Sequence, residues 1–395
     1  MKWLVPREKL DEFQKAWLDE LQKELEEGKV NNWWIRGFPG SGKSVLVAYS
    51  IEMIHEKCPN ASIALAVFTH SLVKLYEEAS QELKAKVTIK TYYQILRSNI
   101  PYDFIIVDEV QDVPQQKLLD LKNLAGHIIV AGDENQSIYD KDPLFKLPPI
   151  TPAQILPIIN GQSESLNIIH RLTQSVINIV KAFLPGLNLF NSRIDATKDD
   201  VQVRLKQCSN NDKECSYIRE EAEKAINNAN GSVAVLFPTH RSLVYFINTI
   251  LQQENVNINI DTTSPKWKNG DKIDYNKINR LLSQHSLNYL YVGNGYGNFM
   301  ESNKIIMMTY RSSKGLDFDY VFMPYLDQSL YITPDPVLSK TCFMVALTRS
   351  RLNLYLTYSG LMHPYVASFS GQCISPNVTL NNNANTNQNP FGFNN

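Results

Sequence analysis

Between Arg7 and Gly28 the apolar residues Leu10, Phe13, Trp17, Leu18 and Leu21 recur every three or four positions, which predicts a charged helix with one apolar stripe. Asn32–Ile35 is a short apolar run and reads as a strand, whereas Val45–Ile54 is apolar nearly all round and reads as a buried helix. The alternation continues with a strand over Ser62–Phe68 and a helix over Leu72–Leu83. Phe104–Val107 and His127–Ala131 are again short and apolar, the mark of strands covered on both faces. Strands of this kind interleaved with helices predict an α/β fold around a parallel sheet. A proline-rich stretch, Asp142–Pro157, interrupts the pattern and reads as a linker.

Beyond it the pattern restarts. Helices are expected over Arg171–Phe183 and Asp212–Asn228, with strands over Ser232–Phe237, Lys304–Met308, Tyr320–Met323 and Leu352–Leu356. The expected organisation is therefore two tandem α/β domains, residues 1–150 and 151–375. A tail over 376–395 follows; it is rich in Asn, offers few apolar side chains to bury, and is expected to be disordered. The role of residues 261–300 is left open by the sequence; within them Trp267–Met300, with several Tyr, Asn and Gly, could form a small element.

At 395 residues the chain exceeds one typical domain, and 43% hydrophobic content suffices for more than one core. The formal net charge of −1 gives no global field that would recruit a polyanion, so any nucleic-acid contact must come from a local groove. Cys58, Cys208, Cys215, Cys342 and Cys373 are odd in number and scattered, which suggests neither a disulfide framework nor a zinc site and points to a reducing, cytoplasmic compartment. No signal-peptide core is visible in the first residues, and no apolar run reaches membrane-spanning length.

The chemistry concentrates in Arg36-Gly37-Phe38-Pro39-Gly40-Ser41-Gly42-Lys43-Ser44, which fits the phosphate-loop pattern G-x-x-x-x-G-K-[ST] and lies between a predicted strand and a predicted helix. Glycines let backbone N–H groups face phosphate oxygens at the helix N-terminus. Lys43 would reach the β- and γ-phosphates of ATP and Ser44 would ligate Mg²⁺. The strand Phe104–Val107 ends in Asp108-Glu109. At the carboxyl end of a parallel strand both acids face the nucleotide crevice. Asp108 would serve Mg²⁺, and Glu109 would orient and deprotonate the attacking water.

Six boxes in order resemble those of superfamily 1 helicases of the UvrD/Rep type. The first is the phosphate loop. Asp108-Glu109-Val110-Gln111-Asp112 resembles D-E-x-Q-D, and Gly132-Asp133-Glu134-Asn135-Gln136-Ser137-Ile138-Tyr139 resembles G-D-x-x-Q-S-I-Y. Leu166–Arg171 resembles L-x-x-N-Y-R, Thr309–Phe318 resembles T-x-H-x-x-K-G-L-E-F, and Val345–Arg351 resembles V-A-x-T-R-A. The resemblance covers roughly Trp33–Ser359 and implies two tandem RecA-like P-loop NTPase domains with parallel sheets covered by helices. It further implies an ATP- and Mg²⁺-dependent translocase or helicase on single-stranded DNA, running 3′ to 5′, with RNA as the other polynucleotide it admits.

On that resemblance Gln136 senses the γ-phosphate, and Arg171 and Arg349 are arginine fingers presented by the second domain. His170, Gly315 and Asp317 join the loop residues around the nucleotide. Phe68, Thr69, His70, Tyr139 and Thr309 fall on the nucleic-acid side. Gln14 and Gln22 both remain open as the glutamine that contacts adenine, each equally readable as a solvated helix residue. Phe68 is open too, between a base-stacking residue and the core end of a strand.

The chain also departs from the pattern. No tryptophan follows Tyr139, His170 stands where a tyrosine would stack on adenine, and Arg311 replaces a histidine. About 37 residues separate His70 from Asp108, where the UvrD/Rep enzymes carry an extra subdomain, and the stretch from Arg241 to Thr309 is likewise short. A two-domain motor core with pruned accessory domains is expected. These departures keep a second class open: an ATPase switch or adaptor that works with a protein partner such as a nuclease and does not unwind. A small-molecule kinase is a third reading, opposed by the two arginines of the later boxes.

Overall fold

The computed structural model describes residues 4–133, 146–186, 193–194, 199–228, 231–270, 272–293 and 303–374. These described residues fall into two compact units, one made of those up to Leu172 together with 193–194, the other of those from 173 to 186 and from 199 onward. The tail 376–395 lies outside the described residues.

In the first unit, strands β1 (Trp33–Gly37), β2 (Ile63–Val67), β3 (Thr88–Thr91), β4 (Tyr102–Val107), β5 (Ala125–Gly132) and β6 (Gln162–Leu166) form one sheet in the order β3-β2-β4-β5-β1-β6. All pairings are parallel. Parallel neighbours need crossover connections, which contain α2 (Lys43–Lys57), α3 (His70–Leu83), α4 (Tyr92–Ser98), α5 (Gln115–Leu124) and α6 (Pro152–Ile159), while α1 (Glu12–Glu27) precedes β1. Because side chains alternate along a strand, the sheet feeds two cores. Ile35, Leu65 and Ile106 point into one, with Trp17, Leu21, Leu46 and Ile54 of α1 and α2. Trp34, Ala64, Ala66, Ile105 and Val107 point into the other, with Ile95, Leu118, Leu121, Ile155 and Ile159 of α4, α5 and α6.

Within the stretch expected to be a linker, residues 152–157 are helical. Thr151 caps α6 reciprocally with Gln154, Pro152 occupies its first turn, and β6 then pairs along the whole of β1. The division expected at residue 150 is therefore corrected: the first unit runs on to Leu172. Proline at a helix start and a polar edge strand both mimic a loop in sequence. A short parallel pair, β7 (Ile168–Ile169) with β8 (Arg193–Ile194), completes this unit.

The second unit carries β9 (Gln202–Cys208), β10 (Val233–Phe237), the hairpin β11 (Lys268–Asn269) and β12 (Lys272–Ile273), then β13 (Leu290–Val292), β14 (Ile305–Thr309), β15 (Phe318–Met323) and β16 (Ser350–Ser359). Its six-stranded sheet has the order β13-β14-β10-β15-β16-β9, again parallel throughout. Its helices are α7 (Gln174–Phe183), α8 (Asn211–Asn228), α9 (His240–Gln253), α10 (Tyr275–Gln284), α11 (Pro336–Leu347) and the short α12 (Pro364–Ala367). In the described part of residues 261–300, Trp267, Tyr275, Ile278, Leu282 and Val292 are core residues, and β13 extends the sheet edge beside β14. Among the described residues no helix is long and apolar enough to cross a membrane. The two tandem parallel-sheet α/β domains read from the sequence are thus the architecture observed.

Candidate active site

Register brings the chemistry together in the first unit. Arg36 of β1 pairs with Gly132 of β5, and Val107 of β4 pairs with Val130 of β5. The segments leaving β1, β5 and β4 therefore emerge side by side at one end of the sheet, carrying the phosphate loop, Asp133 and Asp108-Glu109. This is the end at which open parallel sheets bind ligands.

The loop from Phe38 to Gly42, including Pro39, wraps to the start of α2. Gly40 (φ +78°) and Gly42 (φ +83°) both take left-handed backbone that other residues adopt only with strain. Among the described residues Gly42 caps α2 without a side-chain hydrogen bond, and the N–H groups of a helix start of this kind suit an anion. Lys43 donates through Nζ to the carbonyls of Gly37 (2.8 Å) and Phe38 (2.9 Å). Burial lowers its pKa; Asp133, Glu109 and Asp108, in that order, oppose the fall, and Arg171 adds to it. Ser41 is fully buried, and its hydroxyl has no hydrogen-bond partner among the described residues.

Ser44 Oγ donates to Asp108 Oδ2 at 2.9 Å, which puts the two expected metal ligands in contact. Tyr76 Oη, from α3, donates to the same oxygen at 2.6 Å. Glu109 N–H donates to Asp108 Oδ1 at 2.9 Å. Burial, and then the charge on Glu109, push the Asp108 carboxyl up; Tyr76, Ser44 and Lys43 hold it down. Glu109 sits in left-handed backbone (φ +58°) and accepts a hydrogen bond from Gln111 Nε2. Gln111 Oε1 in turn accepts from Asp133 N–H at 3.1 Å. A strained non-glycine residue held by such a network is a frequent sign of an active site.

The donor set fits a nucleoside triphosphate with a hard divalent cation. One hydroxyl and one carboxylate are adjacent, and Mg²⁺ typically takes one or two protein oxygens plus phosphate and water. Among the described residues no cluster of His, Cys, Asp and Glu forms an all-protein metal cage.

His170 and Arg171 belong to this unit, not to the second as expected. Their backbone N–H groups donate to the carbonyl of Gly40 at 2.8 and 3.2 Å. The cause is β6, which returns the chain to the side of β1 immediately before them. His170 Nε2 pairs with Asp11 Oδ2 at 2.6 Å. Asp11 also caps α1 reciprocally with Gln14, whose Nε2 donates to Ser41 O at 3.0 Å. Gln22 instead donates to Glu26 one turn along the helix. Of the two open glutamines, only Gln14 is at the loop.

The sequence pattern of an AAA domain matches residues 24–142, and that of a UvrD-like helicase C-terminal domain matches residues 266–360. It is a UvrD-like superfamily 1 helicase core. No curated protein matches this chain in sequence. Among solved structures it is similar to nonstructural protein 10 of an arterivirus, a helicase in complex with DNA, at 15% identity and a TM-score of 0.41. That similarity covers 90% of this chain and 66% of the viral one. Membership of a helicase family makes the chain an NTP-using enzyme at the level of the family.

The last two boxes, Thr309–Phe318 and Val345–Arg351, lie in the second unit. Arg349 is 1% exposed, and its guanidinium donates to Val345 O (2.7 Å), Leu316 O (3.2 Å) and Thr348 Oγ1 (3.0 Å). It thereby ties the end of α11 to the turn at Gly315 (φ +81°), two residues before Asp317. Thr309 closes β14, with its hydroxyl on Ser312. In the first unit, Thr69 caps α3 by accepting from Leu72 N–H, and His70 opens that helix. Phe68 is corrected to a core residue: it is 9% exposed and stacks on Tyr92 at 5.7 Å. Gln136 and Tyr139 lie outside the described residues. The reading of the sequence missed Asp11, Tyr76, Gln111 and Asp133 as parts of the site. Asp133 had a signal, an acid directly after a buried strand; Tyr76 had none.

Proposed function

We propose that this chain hydrolyses ATP with Mg²⁺ and uses the cycle to translocate on single-stranded DNA or to unwind duplex. The observation that carries the proposal is the convergence of Lys43, Ser44, Asp108, Glu109 and the Arg171 backbone on one loop of the first unit. Gly40, Gly42 and the start of α2 hold the phosphates with backbone N–H groups. Lys43 supplies a cation buried among carboxylates, where charge acts strongly. Water attacks the γ-phosphorus while the bond to the ADP oxygen breaks. Glu109 takes the proton from that water, held for the task by Gln111. Ser44 and Asp108 would hold Mg²⁺, which neutralises charge on the phosphates. Arg171, tied to the loop by its backbone, offsets charge on the transferring phosphoryl group.

Arg349 as a second finger, Gln136 as γ-phosphate sensor, Gly315 and Asp317 as nucleotide contacts, and Thr69, His70, Tyr139 and Thr309 as nucleic-acid contacts are proposals that rest on the box resemblance. So is the 3′ to 5′ direction. A cytoplasmic site of action fits five free cysteines. The test is the ATPase rate with and without single-stranded DNA or RNA. Stimulation by DNA is expected; no stimulation by any polynucleotide would reject the motor.

One observation favours the second reading, an ATPase switch or adaptor for a partner such as a nuclease. Phe68 stacks on Tyr92 in the core, which takes away one expected base platform. Strand displacement by the purified chain alone would dispose of that reading.

A further inference from the structure

Helix α3 turns an apolar face inward, with Leu72 and Tyr76 both in the core that lies against α2. Tyr76 is 1% exposed, and its hydroxyl is the one polar atom of that pair. Burying a hydroxyl in such a place costs free energy unless it is bonded, and an apolar side chain of like volume would fill the space without that cost. The hydroxyl is aimed at Asp108 Oδ2, 2.6 Å away, with Ser44 O at 3.3 Å. A short O–H···carboxylate bond is charge-assisted and directional. Asp108 is thereby held at both oxygens, Oδ1 by Glu109 N–H and Oδ2 by Ser44 and Tyr76.

We propose that Tyr76 is a positioning residue whose phenol fixes the Asp108 carboxylate in the orientation that serves the divalent cation. This rests on the reading of Asp108 and Ser44 given above. It has a second consequence. Thr69 caps the helix that carries Tyr76, and Phe68 precedes the cap directly. From Thr69 to Tyr76 is about two helical turns, or about 10 Å along the axis. Any movement of α3 on nucleic-acid contact at its N-terminus is passed to the metal ligand through one hydrogen bond.

The test uses the full chain and a fluorescent N-methylanthraniloyl ATP titrated at stepped MgCl₂, comparing wild type with Tyr76→Phe. Removing an outer partner of a metal ligand typically weakens the metal site by 10–100-fold. The Mg²⁺ concentration for half-maximal tight binding should therefore rise about tenfold, with nucleotide affinity in EDTA unchanged. The ratio of DNA-stimulated to basal hydrolysis should fall. An unchanged Mg²⁺ midpoint, or an equal loss of affinity in EDTA, would overturn the positioning role; an unchanged stimulation ratio would overturn the link to α3. Should Tyr76→Phe fail to fold by circular dichroism, Tyr76→Met carries the same comparison. Wild type with no Mg²⁺-dependent binding would overturn both this proposal and the nucleotide reading beneath it.

Discussion

A Cβ atom placed on Gly40 would come within 2.4 Å of Arg171 Cβ, so the phosphate loop and this arginine occupy mutually exclusive volume unless residue 40 is glycine. The glycine also sits at φ +78°, where any side chain is strained whatever the space.

Gly40→Ala should therefore act on two groups at once. Backbone strain of this kind costs about 1–3 kcal/mol, and hydrolysis should fall about tenfold or more as Arg171 is displaced. Arg171→Ala removes the guanidinium but leaves the loop intact. It should cut kcat by about 10³ while nucleotide binding persists. ATPase assays beside fluorescent-nucleotide binding separate the two; equal losses of binding in both variants would show that Arg171 is structural.

Glu109→Gln keeps the shape of the side chain but removes the base. Turnover should be lost, and ATP should remain bound through a filter assay that wild type does not survive. Near-normal hydrolysis by Glu109→Gln would assign the base elsewhere. Gln111→Ala frees Glu109 without removing it and should give a smaller loss, with a changed pH profile.

Phe68→Ala removes a core ring that stacks on Tyr92. Loss of a buried Phe costs about 3–5 kcal/mol, so this variant should unfold at markedly lower urea while the folded fraction keeps its affinity for single-stranded DNA. A loss of DNA affinity without a loss of stability would return Phe68 to the nucleic-acid face.

Glu214 on α8 is buried and accepts from Tyr325 N–H (2.7 Å) and Thr357 Oγ1 (2.6 Å), and burial raises its pKa from 4.5 to about 6. The folded state therefore keeps this proton to higher pH than the unfolded chain does. The stability it confers is complete below pH 4.5 and is lost as pH rises through about 6. The shift corresponds to about 2 kcal/mol. Urea unfolding of wild type and Glu214→Gln from below pH 4.5 to neutrality should show wild type losing about that much relative to the variant. Parallel curves would mean that Glu214 titrates as in water.

Much of this site is legible in the sequence because phosphate chemistry constrains the backbone itself. Gly40 and Gly42 mark left-handed positions, and Asp108 and Glu109 follow a run too apolar to be anything but a buried strand. Elements without a hydrophobic period were not legible. The strand Gln162–Leu166 is polar at four of its five positions, and only its hydrogen bonds to Trp33–Gly37 make it a strand. Its loss from the reading also misplaced Arg171, since chain order alone cannot tell which sheet the next segment rejoins. Phe68 illustrates a different limit: an aromatic at a strand end carries the same letter whether it faces a base or Tyr92. Tyr76 and Asp108 are 32 residues apart and meet only because β2 pairs with β4.

The strand that launches the phosphate loop has neighbours that arrive late. Trp33 pairs with Ile129 on one side and with Gln162 on the other. During synthesis, a nascent chain that has already made every residue of the loop still lacks both flanks of its supporting strand. Pairings between such distant positions also form slowly. Grip on nucleotide should thus be complete only after β6 has paired with β1 and residues 170–171 have reached Gly40, so that a stalled or truncated product ending earlier competes poorly with the finished protein for ATP.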